Sequence, residues 1–571
     1  MGGALPLGGG RGGCRPAWPG RAGAGDVSAA APGRGGGGPV RAGTRRTASV
    51  ARTPRRGLRG FLRATSRAEE ETAARRPGRP GAPQGREVRP GAEVLLQGFH
   101  WTSHAQGGKD GGGWYATLGA KAAAIAAVGI TDVWMPPPCH SVSPEGYLPG
   151  RLYDLSTEYG TRADLEAALD ALHAVGLRAL ADVVLNHRCA DGQDETGAWT
   201  QYSNVSFPRV LADEEEGGPD GAKHATNWGR WAITCDDPVF PGRGGPDTGD
   251  DFAGAPDLDH LNPELRAALT DWLRWLRDEI HFDAWRLDFA RGYGGQFAAE
   301  YVAATVGTEA LAVAEYWADA AWGGGGELEY DQDRMRQAMC DWLDVAGVGN
   351  RTACFDFATK VRAASARCGG AVRVRRAPGL TLAPSKAVLQ HAVATGEFWR
   401  LSDAQRKPPG LIGWWPDRAV TFVENHDTGP ECGGQGHWPF ADGKMLLGYA
   451  YIATHPGHPC IYWPHLFGCT GEGDAPDGPA VEALLRARKA AGVEADSAVE
   501  ILVAEQDLYF ARVRPAAEAG AQGRHGLYVK IGSQFHLPAD VAPDANWAVA
   551  CSGQDFAVWL AGGAGDSGGS L

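Results

Sequence analysis

The chain has 571 residues, 55 Lys and Arg against 68 Asp and Glu, and a formal net charge of −13; that length suits two to four folded units. No run of about 18 apolar residues occurs, so the sequence offers no membrane-spanning helix. Residues 1–90 hold 18 Arg, no Lys and five acids, a charge of +13, which leaves −26 on the other 481; so acidic a body lacks the basic footprint that nucleic acid requires.

Residues 1–90 are rich in Gly, Ala, Arg and Pro and cannot bury enough surface to offset chain entropy, so disorder is expected. Arg-rich, acid-poor text without an apolar h-region reads as an organellar transit peptide rather than a secretory signal. The alternative is a mis-called start site, which would leave a secreted or cytoplasmic protein. From residue 91 short apolar runs alternate with amphipathic helices. The first strand is expected at 94–96, a helix at 114–128 stopped by Gly129, and a second strand at 131–135. Thr161 with Asp164 three residues on reads as a helix cap, and Leu165, Leu169, Leu172 and Val175 mark one face of that helix. The continuous apolar run 177–185 is a strand buried on both sides.

Residues 188–260 are irregular and rich in Gly, Asp and Pro; a stretch that long is an inserted small domain rather than a loop. Asn262 and Pro263 then open a helix that buries Leu265, Leu269, Trp272, Leu276 and Ile280. Further strands are expected at 282–287, 311–314, 354–357, 419–423 and 460–462. Eight strands alternating with helices predict an α/β fold, a parallel (β/α)8 (TIM) barrel in two parts, 91–187 and 261–496. A doubly wound sheet is disfavoured because no GxGxxG turn follows the first strand. Over 497–571 the period changes to short strands joined by Gly, Pro and Asp turns, predicting a C-terminal antiparallel β-sheet domain. Eleven Cys, scattered singly and odd in number, predict neither a disulfide framework nor a CxxC metal site.

Active sites of such barrels lie at the C-terminal strand ends. There the sequence places Asp182-Val183-Val184-Leu185-Asn186-His187, Arg286-Leu287-Asp288, Glu315 and Glu424-Asn425-His426-Asp427. Any one of these acids is as readily a solvated helix cap; the set together points to chemistry. Paired carboxylates are what glycoside hydrolysis needs, one attacking and one protonating the leaving oxygen. Abundant Trp and Tyr suit sugar rings, whose apolar faces lie flat on aromatics, although core packing uses most of them.

On these residues the sequence resembles the plant-type α-amylases, retaining glycoside hydrolases that act on starch. The matching segments are Gln97-Gly98-Phe99, 140–155 (HSVSPEGYLPGRLYDL), 181–190 (ADVVLNHRCA), 255–262 (APDLDHLN), 282–293 (FDAWRLDFARGY), 312–317 (AVAEYW), 413–416 (GWWP) and 421–429 (TFVENHDTG), spanning roughly 95–559. The resemblance implies Asp288 as nucleophile, Glu315 as general acid/base and Asp427 as the third carboxylate. It implies Arg286 keeping Asp288 ionised, His187 and His426 bonding sugar hydroxyls, and Tyr147 stacking on the sugar. The resemblance also implies Trp438 as a further substrate-binding residue, and Trp414 and Trp415 match a pair that plant relatives use to grip starch granules. A retaining mechanism predicts Asp288 and Glu315 carboxyl groups about 5–5.5 Å apart.

The inserted region is crowded with Asp, which composition alone reads equally as a hard-cation site or a solvated acidic loop. The resemblance implies calcium. Asn186, Asp247 and Asp257, with carbonyls of Asp250 and Gly292, align with one Ca2+ site. Asp237 and Asp251, with carbonyls of Phe252 and Ala255, align with a neighbouring one. The whole reads as a calcium-dependent endo-acting α-amylase, expected as a monomer whose partners are starch and malto-oligosaccharides, with no nucleic acid and no membrane. The transit peptide and starch as substrate together favour the chloroplast. Departures are a Gly-rich lengthening near 107–113, Phe535 and Ser552 at a second surface site, and an insertion at about 361–386 that is either real or a retained intron. Competing readings are a transglycosylase or debranching enzyme on the same barrel, and a non-catalytic starch-binding protein, which the three carboxylates argue against.

Overall fold

A computed structural model describes residues 88–106, 113–202, 228–324, 328–356, 358–359, 384–473 and 475–562. The N-terminal 87 residues, the Gly-rich stretch 107–112 and most of the 361–386 insertion lie outside them. Eight parallel strands close a barrel: β1 (Leu95–Gln97), β2 (Asp132–Met135), β3 (Arg178–Val184), β4 (Ala284–Asp288), β5 (Ala312–Ala314), β6 (Thr352–Phe355), β7 (Ala419–Phe422) and β8 (His458–Tyr462). Each pairs with its neighbours in sequence, and β1 closes on β8 through Leu95↔Cys460 and Leu96↔Ile461. Every residue of these strands is buried, which is why the text runs apolar instead of alternating. Trp134, Phe355 and Phe422 fill the interior, the first pair tilted at 47° with ring centroids 5.5 Å apart and the second edge to face at 5.6 Å.

The sixth and eighth strands start two residues before the expected positions, at Thr352 and His458, because buried polar residues at their entry hide the apolar run. Those entries sit over an ion cluster at the N-terminal end of the barrel. Arg178 binds Asp132 at 2.8 Å, and Glu93 accepts from Arg351 at 2.6 Å with His458 3.4 Å away.

The helices of the barrel part are α1 (Gly113–Ala127), α2 (Arg162–Ala174), α3 (Pro263–Asp278), α4 (Gly295–Thr305), α5 (Asp333–Ala346), α6 (Pro384–Thr395), α7 (Met445–Thr454), α8 (Trp463–Phe467) and α9 (Gly478–Ala491). Thr161 and Asp164 form a reciprocal capping box on α2, and Asn262 caps α3 with Pro263 at its first position. Leu165, Leu169 and Leu172 are buried as expected, but Val175 is 38% exposed: it sits past the last turn, where the helical face no longer applies.

Between β3 and α3 the insertion holds a small hairpin (Gly192–Gln193 with Trp199–Gln201) and is stitched to itself by the bridges His187↔Asp257 and Ile233↔Leu258. The Arg188 guanidinium lies over Tyr202 and Trp228, at 5.2 and 4.6 Å.

The C-terminal sheet comprises β9 (Val499–Glu505), β10 (Leu508–Val513), β11 (Leu527–Ile531), β12 (Trp547–Gly553) and β13 (Phe556–Ala561), antiparallel in the order β9-β10-β11-β13-β12. Its inner face, with Tyr509, Ala511, Leu527, Val529 and Val558, joins the same apolar core as the barrel helices. Among the described residues no helix is long and apolar enough to cross a membrane.

The cysteine expectation needs correction. Cys432 and Cys469 form a disulfide across 37 residues, while Cys139, Cys189, Cys235, Cys340, Cys354, Cys460 and Cys551 are free. Scattered spacing concealed the pair because its two loops meet only once the barrel closes.

Candidate active site

Strand pleat and barrel closure bring the strand-end residues together. In β3 and β4, Asp182 is in register with Arg286 and Val184 with Asp288. Arg286 is 1% exposed and works as a hub. Its Nη1 donates to Asp182 Oδ1 at 2.8 Å and to Asp288 Oδ1 at 2.7 Å, and its Nη2 lies 2.9 Å from Glu315 Oε2. Phe289, directly after Asp288, is in the left-handed region at φ 42°; non-glycine residues hold that conformation only where surroundings enforce it. There its N–H donates to Glu315 Oε2 at 3.0 Å, coupling the end of β4 to the end of β5.

Three carboxyl groups thus meet one cation, and Asp427 feels its charge. Burial raises Asp288 well above the ordinary carboxylate range; Arg286 opposes this, while Glu315 and Asp182 add to it. Arg286 favours the ionised form of Asp288, as an adjacent cation does, and desolvation acts against it. Burial also raises Glu315, with Arg286 opposing and Asp427 adding, and it raises Asp427 against Arg286 and His437. Such a set titrates as a unit and retains protons to higher pH than isolated acids.

Aromatic walls complete the site. Trp101, Tyr147 and His426 are near-parallel, with interplanar angles of 7–9° and centroids 5.3–6.3 Å apart. The Tyr147 hydroxyl donates to Asp182 Oδ2 at 3.0 Å, as does Trp134 Nε1. His426 Nδ1 meets Gln97 Nε2 at 2.8 Å, and its Nε2 is 3.5 Å from Asp427 Oδ2; burial first, then Arg286, lowers this ring to about 3, so it is neutral. His187 is enclosed: it is stacked on Phe252 at 3.9 Å, with Nε2 2.9 Å from the Tyr147 carbonyl and Nδ1 3.4 Å from Asn186 Nδ2. Its nitrogens are already engaged, so a sugar hydroxyl would have to displace a partner.

Trp438 is half-buried in the loop after β7, its N–H donating to the Thr428 carbonyl. Trp414 and Trp415 are also half-buried and lie before β7. Each has one ring face on a guanidinium, Arg336 at 4.2 Å and Arg418 at 5.6 Å.

In the insertion, the carboxylates of Asp247, Asp251 and Asp257 have oxygens within 4.8 Å of one another. Asn186 Nδ2 donates to Asp257 Oδ1 at 2.7 Å, while Asn186 Oδ1 and Asp247 Oδ2 are buried without a hydrogen-bond partner. Gly292 is required here, since a Cβ would stand 2.1 Å from Asn186 Oδ1. Oxygen donors without partners among clustered acids fit a hard cation. Asp251 thus lies beside Asp247 and Asp257, and Asp237 accepts from the N–H groups of Val239, Phe240 and Asp257, capping its own turn. Asp250 pairs with Arg291 at 2.5 Å, and Phe252 and Ala255 flank the cluster in sequence.

Sequence reasoning assigned no role to Asp182, Trp134, Trp101, Gln97 or Gln435. Asp182 carried a signal, a lone acid inside an apolar strand run. The others look like ordinary core or loop text until the barrel closes.

Residues 102–233 match the family described as alpha amylase, catalytic domain, and residues 490–560 match the alpha-amylase C-terminal beta-sheet domain. The chain is 37% identical over 469 residues to Alpha-amylase 3, chloroplastic, of Arabidopsis thaliana, covering 82% of this chain and 44% of that relative, so it spans under half of that protein. It is 36% identical over 475 residues to Probable alpha-amylase 2 of the same plant, covering 83% of this chain and 95% of the relative. Its fold is similar to that of an Anoxybacillus alpha-amylase, with a TM-score of 0.53 and 15% identity over 84% of this chain and 100% of that one.

Proposed function

The chain belongs to the α-amylase family, whose reaction is endo-hydrolysis of α-1,4-glucan bonds, and we propose that it carries out this reaction with retention, through a covalent Asp288 intermediate. One observation supports the reading above others: a single buried guanidinium binds Asp288 and Glu315 through different nitrogens, with Asp427 in electrostatic reach. Retaining hydrolysis needs one ionised and one protonated carboxyl side by side. A proton on Glu315 leaves Asp288 as the anion on Arg286 Nη1. Asp288 attacks the anomeric carbon as Glu315 protonates the departing oxygen. Glu315 then takes a proton from water, which displaces Asp288. Asp427 accepts hydrogen bonds from the sugar hydroxyls as the ring flattens. Trp101 and Tyr147 offer flat faces to the sugar, and the Asp182 bond fixes the Tyr147 ring. His426 presents Nε2, Trp438 borders the cleft, and Trp414 and Trp415 grip starch at a distance.

The same reading places Ca2+ among Asn186, Asp247, Asp251 and Asp257. A bound cation supplies positive charge to offset these acids. Asn186 and Asp257 then hold the insertion against the end of β3, keeping Asn186-His187 in place. The Arg-rich residues 1–90 and the similarity to a chloroplastic relative support a plastid address, tested by fusing residues 1–90 to a fluorescent protein.

The deciding assay follows chain length and product anomer on soluble starch. Rapid shortening to α-anomeric oligosaccharides is expected, with Asp288→Asn lowering kcat on the order of 10⁴-fold while leaving the fold intact. Chelation is expected to lower the melting temperature before it affects the chemistry. Starch bound but left intact would overturn the catalytic reading.

A further inference from the structure

The loop between β7 and α7 is held from two directions. Its backbone folds back on the strand end: Gln435, His437 and Trp438 donate N–H groups to the carbonyls of His426, Asp427 and Thr428 at 3.3, 3.1 and 3.3 Å. Its tip is tied elsewhere by the Cys432–Cys469 disulfide, which joins it to the segment after α8. The first rim loop wedges between them, with the Thr102 hydroxyl donating to the Cys432 carbonyl and His100 Nε2 3.0 Å from the Cys469 carbonyl. Cys432 is left-handed at φ 54°, a conformation costly for a residue with a Cβ and maintained by its surroundings. At Gly434 a Cβ would stand 2.2 Å from the Gly429 carbonyl oxygen, so the turn admits no side chain there. From this turn the exposed Gln435 reaches back, and its Nε2 donates to Asp427 Oδ1 at 2.8 Å.

We propose that Gln435 is a positioning residue for Asp427 and that the Cys432–Cys469 disulfide anchors the loop carrying it, so that a dithiol reductant lowers turnover by releasing that loop. This rests on the reading of Asp427 as the third carboxylate. A carboxylate that must meet shifting sugar hydroxyls gains from having its second oxygen fixed beforehand. Both cysteines are half-buried and so within reach of a reductant. One thiolate of the dithiol attacks a disulfide sulfur, the S–S bond breaks, and the departing cysteine sulfur takes a proton. The second reductant thiolate closes its own disulfide and frees the other cysteine. Two electrons and two protons pass to the protein.

The test compares Gln435→Ala, Gln435→Glu and the Cys432→Ser/Cys469→Ser double variant, each with and without dithiothreitol, on soluble starch. Gln435→Ala is expected to lower kcat about tenfold, the worth of one charge-assisted hydrogen bond, with KM little changed. Gln435→Glu recovers activity as pH falls, when the introduced carboxyl regains a proton to donate. Dithiothreitol lowers kcat of the parent but not of the cysteine double variant, and adds nothing to Gln435→Ala, as expected for one shared linkage. Unchanged kcat and pH profile in Gln435→Ala, or reduction losses that add to it, overturn the proposal. Asp427→Asn separates the two ideas: if it stays active, the reading of Asp427 fails; if it is inactive while Gln435→Ala is not, only the present inference fails.

Discussion

At the residue scale the site is a problem in sharing charge. Arg286 meets three carboxylates directly, and its charge cannot satisfy them all in a buried setting, where unpaired ions are costly. The raised pKa values keep protons on this group of acids to higher pH than on isolated carboxyls. As the proposed acid, Glu315 must be protonated, so activity is expected to be lost as pH rises through its pKa. Burial raises that pKa, which moves the high-pH limb of kcat/KM above the ordinary carboxylate range. Glu315→Gln should therefore abolish that limb on an activated aryl maltoside, which needs no acid to depart, while natural starch is hardly cleaved. A limb unmoved by the substitution would assign it to another group.

At the element scale, single polar contacts fix how helices sit on strands. The last turn of α2 reaches Asp283 at the entry to β4 through His173 Nε2, at 2.9 Å, and the same carboxylate accepts the Ala179 N–H of β3 at 2.7 Å. Burial lowers the His173 pKa, but the hydrogen bond and charge of Asp283 outweigh it, so the net shift is upward. A folded-state pKa raised above the unfolded value gives stability that is present in full below the ordinary histidine range. It is lost as pH rises through the raised value. Urea midpoints of the parent should fall across this interval, and His173→Gln should flatten that fall. An identical slope in both proteins would exclude the pair as its source. The insertion works similarly: Asn186, just past β3, joins that strand end to Asp257, 71 residues away.

At the scale of the whole molecule, barrel helices and C-terminal sheet share one apolar core. His455, just past α7, meets the Tyr509 hydroxyl of β10 at 2.8 Å, and Leu527 is fully buried on the inner sheet face. Leu527→Ala should cost about 2–5 kcal/mol, as for other buried leucines. Starch hydrolysis and far-ultraviolet circular dichroism should then be lost together on heating. If the sheet signal melts well before activity, the two parts are energetically separate.

Local pattern alone determined much of this protein. Full burial made the strands continuous apolar runs, Thr161-Asp164 and Asn262-Pro263 announced helix starts, and the acids at the strand ends were in plain view. These signals are short-range, set by backbone period and capping chemistry, so no folded context is needed to read them. Tertiary structure decided what depends on meetings across distance. It set Asp182 on Arg286, grouped Asp251 with Asp247 and Asp257, enclosed His187 behind Phe252, and paired Cys432 with Cys469. Asp182 and Arg286 are 104 positions apart and Cys432 and Cys469 are 37 apart, and such meetings are fixed only when the chain folds, a long-range event that leaves no mark in local periodicity.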